Sequence, residues 1–105
     1  MAANPGHAIF DLAVRRNGER ATITLTGELD LSGVDALRSC TDLVLEHPVD
    51  LVLDLRHLSF CDVAGLEALL AVRHAAQASG HTVQLLSPPR CLQRVLHILD
   101  LDDTF

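Results

Sequence analysis

Tryptophan and tyrosine are absent from this chain of 105 residues, and phenylalanine occurs three times. The core must therefore be filled by Leu, Val, Ile and Ala, and a hydrophobic content of 49% supplies enough of them. A single domain of this size buries a real core without disulfide or metal staples. Positive charge is also in short supply: eight basic residues face fourteen acidic ones, for a formal charge of -6. That balance disfavours non-specific attraction to nucleic acid or anionic lipid. The basic residues are scattered and no aromatics interleave with them as a stacking platform. Direct nucleic-acid binding is not expected.

Cysteine is sparse too. Cys40, Cys61 and Cys91 form no CxxC and leave one thiol unpaired under any disulfide scheme. This fits a reducing compartment, with Cys61 and Cys91 expected as small structural thiols. The histidines form neither HExxH nor a His-x-x-x-His pair, so spacing gives no metal site. There is no G-x-S-x-G, phosphate-cradling glycine loop or dinucleotide fingerprint. No apolar run is long enough to cross a bilayer, and "MAANPGHAIF" has no basic stretch leading into an apolar core. The expectation is a cytoplasmic protein without membrane insertion.

What is present is periodic. "IFDLAVR" and "RATITLTG" alternate as strands, with "RNGE" between them and Asn17-Gly18 as the hairpin signal. Val34, Leu37, Thr41, Val44 and Leu45 recur at helical spacing, and Pro48 closes that segment. Ser32 with Asp35, or alternatively Asp30, supplies the helix start. Leu51 to Leu55 reads as a short central strand, and the connection "RHLSFC" leads from it to Asp62. A helix follows over Val63 to Ser79, with Leu66, Leu69, Leu70 and Val72 or Arg73 near its inward side, and Gly80 stops it. "HTVQLLS" is another strand, and Leu92, Val95, Leu96 and Leu99 form a last amphipathic stripe. The fold class is α/β: a small mixed β-sheet covered by helices, in the order β-β-α-β-α-β-α. Residues 1–7 read as a flexible tail and residues 8–105 as the domain.

Asp62 marks the point where an apolar run turns into a helical pattern. Its carboxylate can cap the helix by accepting from the free N–H groups of the first turn. Gly65 costs about 1 kcal/mol of helix propensity against alanine, which suggests close packing or the near approach of a partner's backbone. His57 and Ser59 in "HLS" are only a weak nucleophile–base cue. Glu28, Asp30 and Asp62 end two strands and form a possible divalent-ion set, though satisfied loop acids account for them as well.

Three segments, "TLTGELDLSGVDALR", "LVLDLRHLSFCDVAGLEALL" and "QLLSPPRCLQRVLHILDLDDTF", occur in this order. Together they resemble the STAS domain of bacterial anti-anti-sigma factors (anti-sigma factor antagonists), from about Ile9 to Phe105. The most specific pieces are the strand and turn leading to Asp62 and Gly65-Leu66, supported by "SPPRCLQRVL". The resemblance implies a regulatory binding domain without cofactor rather than an enzyme. Its partner would be an anti-sigma factor, often an ATP-dependent serine kinase, whose capture releases a sigma factor. In such proteins the kinase phosphorylates a serine at the start of the second helix. A phosphate adds about -1.5 to -2 charges and repels a complementary partner.

Here the family's D-S-[SAT]-G becomes Asp62-Val63-Ala64-Gly65, so the phosphoacceptor position falls on Val63, which has no hydroxyl. Ser32 and Ser59 have hydroxyls but lie off that position. The expected docking surface combines Glu28, Asp30 and Ser32 with Asp62, Val63, Gly65, Leu66 and Glu67, because loops after parallel strands emerge together. Two other readings remain at this point. One is a STAS subunit of another assembly, packed against the ATPase of an ABC-type lipid-transport complex; the other is a small metal-dependent enzyme using Glu28, Asp30 and Asp62.

Overall fold

A computed structural model of the chain describes residues 10–101 and 105. The expected tail, residues 1–7, lies outside the described residues. Strands β1 (Asp11–Asn17) and β2 (Arg20–Leu29) lead into a 3-10 turn (Leu31–Gly33) and α1 (Val34–Val44). Then come β3 (Asp50–Cys61), α2 (Val63–Ala78), β4 (Val83–Leu86) and α3 (Arg90–Ile98). The order is β-β-α-β-α-β-α, as the periodicities require. One sheet holds the strands as β1-β2-β3-β4, antiparallel at the first junction and parallel at the other two.

The hairpin shows how register is chosen. Asn17 pairs with Arg20, so the connecting residues are Gly18 and Glu19, one position beyond the expected Asn17-Gly18 centre. Gly18, with φ +66°, takes the left-handed place at the first central position. This register turns Ala21, Ile23 and Leu25 inward, each with no exposed surface. A slip by one residue would turn the threonines inward instead.

Strand β3 runs further than the sequence pattern suggests. "RHLSFC" reads as a connection, yet it continues the ladder to Cys61, opposite Leu29. The reason is a pair of irregularities, between Thr24 and Thr26 and between Gly27 and Glu28, at which β3 carries an extra residue. These bulges put Arg56, His57, Ser59 and Phe60 outside while the backbone stays paired, which destroys the alternation. Asp54 and Arg56 span the first bulge. Asp54 Oδ1 accepts from the Arg56 backbone N–H at 3.1 Å, and Arg56 Nη2 donates to Asp54 Oδ2 at 2.9 Å. The guanidinium hydrogen bond is the main reason that the buried Asp54 carboxyl lies below its ordinary range.

The helices seal the core. Leu37, Thr41 and Val44 are the buried face of α1, and the Thr41 hydroxyl is satisfied by donating to the Leu37 carbonyl at 2.8 Å. On α2 the inward residues are Leu66, Leu69, Val72 and Ala76, with Gly65 and Ala68; Val72 faces in rather than Arg73, and Leu70 is half-buried. Gly80, with φ +79°, follows the C-cap Ser79 and ends α2 two residues past its last helical residue, Ala78. His81 N–H donates to the Ala76 carbonyl and Gly80 N–H to Gln77, the paired bonds of a Schellman cap. In α3, Leu92 and Leu96 are buried, but Leu99 follows the last helical residue and is 52% exposed, so it leaves the expected stripe.

Candidate functional site

Leu29 and Cys61 end neighbouring parallel strands in register, so the chain leaves β2 and β3 side by side. Two short loops result. In the first, Asp30 has extended backbone, and its Oδ1 accepts from the Ser32 N–H at 2.9 Å and the Ser32 hydroxyl at 2.6 Å. Asp30, not Ser32 with Asp35, therefore opens this segment; α1 itself begins from Gly33 without a side-chain cap. In the second, Asp62 also has extended backbone, and its Oδ1 accepts from the Gly65 N–H at 2.9 Å. The Asp62 N–H reaches the Leu29 carbonyl at 3.4 Å, tying the second loop to the end of β2. Asp62 is a helix cap, whatever else it does.

Gly65 has an internal explanation. A Cβ there would stand 2.5 Å from the Leu29 carbonyl oxygen and 2.8 Å from Cys61 Sγ. The absent side chain lets α2 pack against the strand ends; it is not space kept for a partner's backbone. Leu66, 2% exposed, is a core residue. Both positions correct the expected docking surface: they hold its shape from beneath and offer it no side chain. The first turn of a helix on a sheet alternates quickly between outward and inward positions, and Val63 is outward while Leu66 is inward.

The outer surface is built by the remaining members. Val63 is 60% exposed, Ser32 and Glu67 are exposed, and Glu28, Asp30 and Asp62 are half-buried. The sequence reading missed Leu31, 76% exposed on the 3-10 turn, and Phe60, 42% exposed at the end of β3. A signal for Leu31 existed. Asp30-Leu31-Ser32-Gly33 and Asp62-Val63-Ala64-Gly65 share the order acid, apolar, small, glycine, and in each the apolar residue follows a capping acid.

Neither the His57–Ser59 pair nor the Glu28, Asp30 and Asp62 set is assembled among the described residues. The Ser59 hydroxyl donates to the Gly27 carbonyl at 3.1 Å rather than to His57. Glu28, Asp30 and Asp62 do not converge: among the described residues no three His, Cys, Asp or Glu side chains are placed to hold a metal ion. Cys61 is 4% exposed, and burial, with smaller contributions from Cys91 and Asp62, pushes its thiol up to about 12. Burial and the raised thiol make Cys61 a packing residue with little thiolate at neutral pH. Cys91, expected to be its counterpart, is exposed on the outer side of α3. Capped helix starts with apolar tips and acidic neighbours make a surface suited to binding. No helix among the described residues is long and apolar enough to cross a membrane.

Comparison with known proteins agrees with this architecture. Residues 12–105 match the family described as "Mlab, STAS domain". The structure of SpoIIAA, a Bacillus cell fate determinant, in its phosphorylated form is 25% identical, with a TM-score of 0.71 over 89% of this chain and 85% of that one. The anti-sigma factor antagonist SpoIIAA in its unphosphorylated form is 25% identical, with a TM-score of 0.69 over 86% of this chain and 83% of that one. An anti-sigma factor antagonist from Mycobacterium paratuberculosis shares the fold at a TM-score of 0.79, with 23% identity over 92% of this chain and 83% of that one. No curated protein matches. With a family match over nearly its whole length and the strand order, bulged β3 and capped α2 described above, the chain belongs to the STAS domain family.

Proposed function

We propose that the protein is an anti-anti-sigma factor-like regulator that captures an anti-sigma factor and so frees a sigma factor, without a phosphorylation switch at the start of α2. The similarity to SpoIIAA and other anti-sigma factor antagonists supports the partner class. The observation that carries the missing switch is the placement of Val63. It occupies the first position of α2, directly after the Asp62 cap, with its side chain 60% exposed. A serine there would present its hydroxyl to a kinase; valine offers an apolar contact and no oxygen nucleophile. The nearby hydroxyls are committed elsewhere, Ser32 to Asp30 and Ser59 to Gly27.

The docking surface would combine Ser32, Val63 and Glu67 with Glu28, Asp30 and Asp62, and Leu31 joins it as a second apolar tip. The acids favour a partner with a basic patch. The test incubates wild type and Val63→Ser with candidate anti-sigma factors of the serine-kinase type and ATP, then measures complex lifetime and phosphate transfer by intact mass. Wild type should bind and gain no phosphate, whereas Val63→Ser should gain one and dissociate faster. A wild type that binds no such factor at micromolar concentration sinks this reading. It would move weight to a STAS subunit of another assembly, such as an ABC-type lipid-transport complex with an ATPase partner.

A further inference from the structure

A hollow between α1 and α2 has a volume of about 500 Å³. Its apolar lining comes from Leu31 and Val34 on one side and from Ala64, Ala68, Ala71 and Ala75 on the other. The alanines recur at helical spacing, so they form one stripe along α2 about 16 Å long at 1.5 Å per residue. Arg38, Asp42 and Glu67 also line the hollow. Asp42 and Glu67 are exposed and stand in no ion pair among the described residues, where the pairs are Asp54 with Arg56 and Asp50 with His81. The groove is continuous with the loop surface described above, because Leu31 and Glu67 belong to both.

We infer that this groove receives an amphipathic α-helix of the partner, with a narrow apolar ridge and Lys or Arg on its flanks; this rests on the docking reading proposed above. Three observations select that occupant. The walls are helices whose backbone groups are already paired, so an extended segment would find no ladder to join and would bury unpaired N–H and C=O groups. A helix satisfies its own. The alanine stripe leaves space for side chains at i, i+4 and i+7 of a facing helix to settle close to the α2 backbone. Two unpaired carboxylates against one guanidinium give a net acidic rim, which favours cationic flanks and disfavours a fatty carboxylate or a phosphate.

The test is calorimetric titration with the anti-sigma factor identified in the binding experiment above, using the full-length chain. Ala71→Trp fills the groove about two turns from Val63, at an exposed helical position, and should weaken binding by about tenfold or more. Asp42→Lys, on the opposite wall, should weaken it by roughly threefold at low salt, and the effect should disappear near 0.5 M salt. Circular dichroism and thermal melting check that both variants keep the fold. Wild-type affinity in both variants overturns the groove assignment and leaves the loop surface standing, whereas a wild type that binds no factor overturns both. Self-association of the wild type that Ala71→Trp abolishes would give the groove to a second copy of this chain and also overturn the proposal.

Discussion

The two loops that close β2 and β3 have the same chemical order and take different shapes. In Asp30-Leu31-Ser32-Gly33 the carboxylate accepts from the N–H two residues ahead; in Asp62-Val63-Ala64-Gly65 it accepts from the N–H three residues ahead. The shorter reach folds a 3-10 turn, and the longer one starts an α-helix directly. Ser32 provides the difference locally, since its own hydroxyl also binds the Asp30 carboxylate and draws it back. Ala64, at the corresponding place, has nothing to compete with the helix. What lies beneath differs as well. Gly65 rests on the fixed backbone of Leu29, while a Cβ on Gly33 would first meet the Phe10 ring, at 2.8 Å. The second loop is therefore the rigid one, and it carries Val63, the position at which the proposed function places the missing switch.

The largest effect should come from the two glycines. Gly65→Ala must displace either the Leu29 carbonyl or the whole first turn of α2, and overpacking of this kind costs about 2–3 kcal/mol, beyond the propensity gained. Gly33→Ala asks only that an aromatic side chain rotate, at about 1 kcal/mol or less. Urea denaturation of the two variants beside wild type measures the difference. Labelling of Cys61 provides a second readout, because its sulfur sits under Gly65. In wild type Cys91 should react quickly and Cys61 slowly; Gly65→Ala should speed Cys61 and leave Cys91 unchanged. Equal losses from both glycine variants would abolish the distinction between a rigid and a yielding loop.

The caps come next. Asp62→Ala leaves the Gly65 N–H unpaired in a half-buried place and should cost about 1 kcal/mol, in the usual range for an N-cap. Asp30→Ala frees bonds at an exposed turn and should cost about half as much. Thermal melts at neutral pH resolve the two. A larger loss from Asp30→Ala would mean that the 3-10 turn, rather than the start of α2, anchors the junction.

How much of this was legible beforehand follows from where the information lay. The element order was readable because hydrophobic periods of two and near four are local, and so was Asp62 as a cap, since it preceded a helical pattern. The length of β3 was not, because its bulges depend on pairing with β2 and leave polar residues where alternation would place apolar ones. Resemblance pointed to Asp62 and Val63 for the proposed site, but sequence could not separate outward from inward positions in one helical turn, so Gly65 and Leu66 were expected on the surface. Leu31 escaped because an exposed leucine has no sequence signature of its own. Only comparison of the two Asp-apolar-small-Gly segments would have marked it.

The smallest expected effect on stability is the one on which the functional test depends. Val63→Ser removes an apolar side chain that is already 60% exposed, so little buried area is lost, and the change should lie within about 0.5 kcal/mol of wild type. Ala64→Ser, which gives the second loop the hydroxyl pattern of the first, should also stay within about 0.5 kcal/mol and leave the start of α2 in place. Leu66 and Gly65 hold that turn by packing, and one competing hydroxyl does not outweigh them. Denaturation curves together with amide exchange at Gly65 and Leu66 check both variants. If Ala64→Ser loosens those amides toward the behaviour of the first loop, hydroxyl competition alone sets the two shapes and the packing account is wrong. If the amides stay protected and stability holds, any change in partner lifetime caused by Val63→Ser belongs to the surface chemistry of residue 63 and not to the fold beneath it.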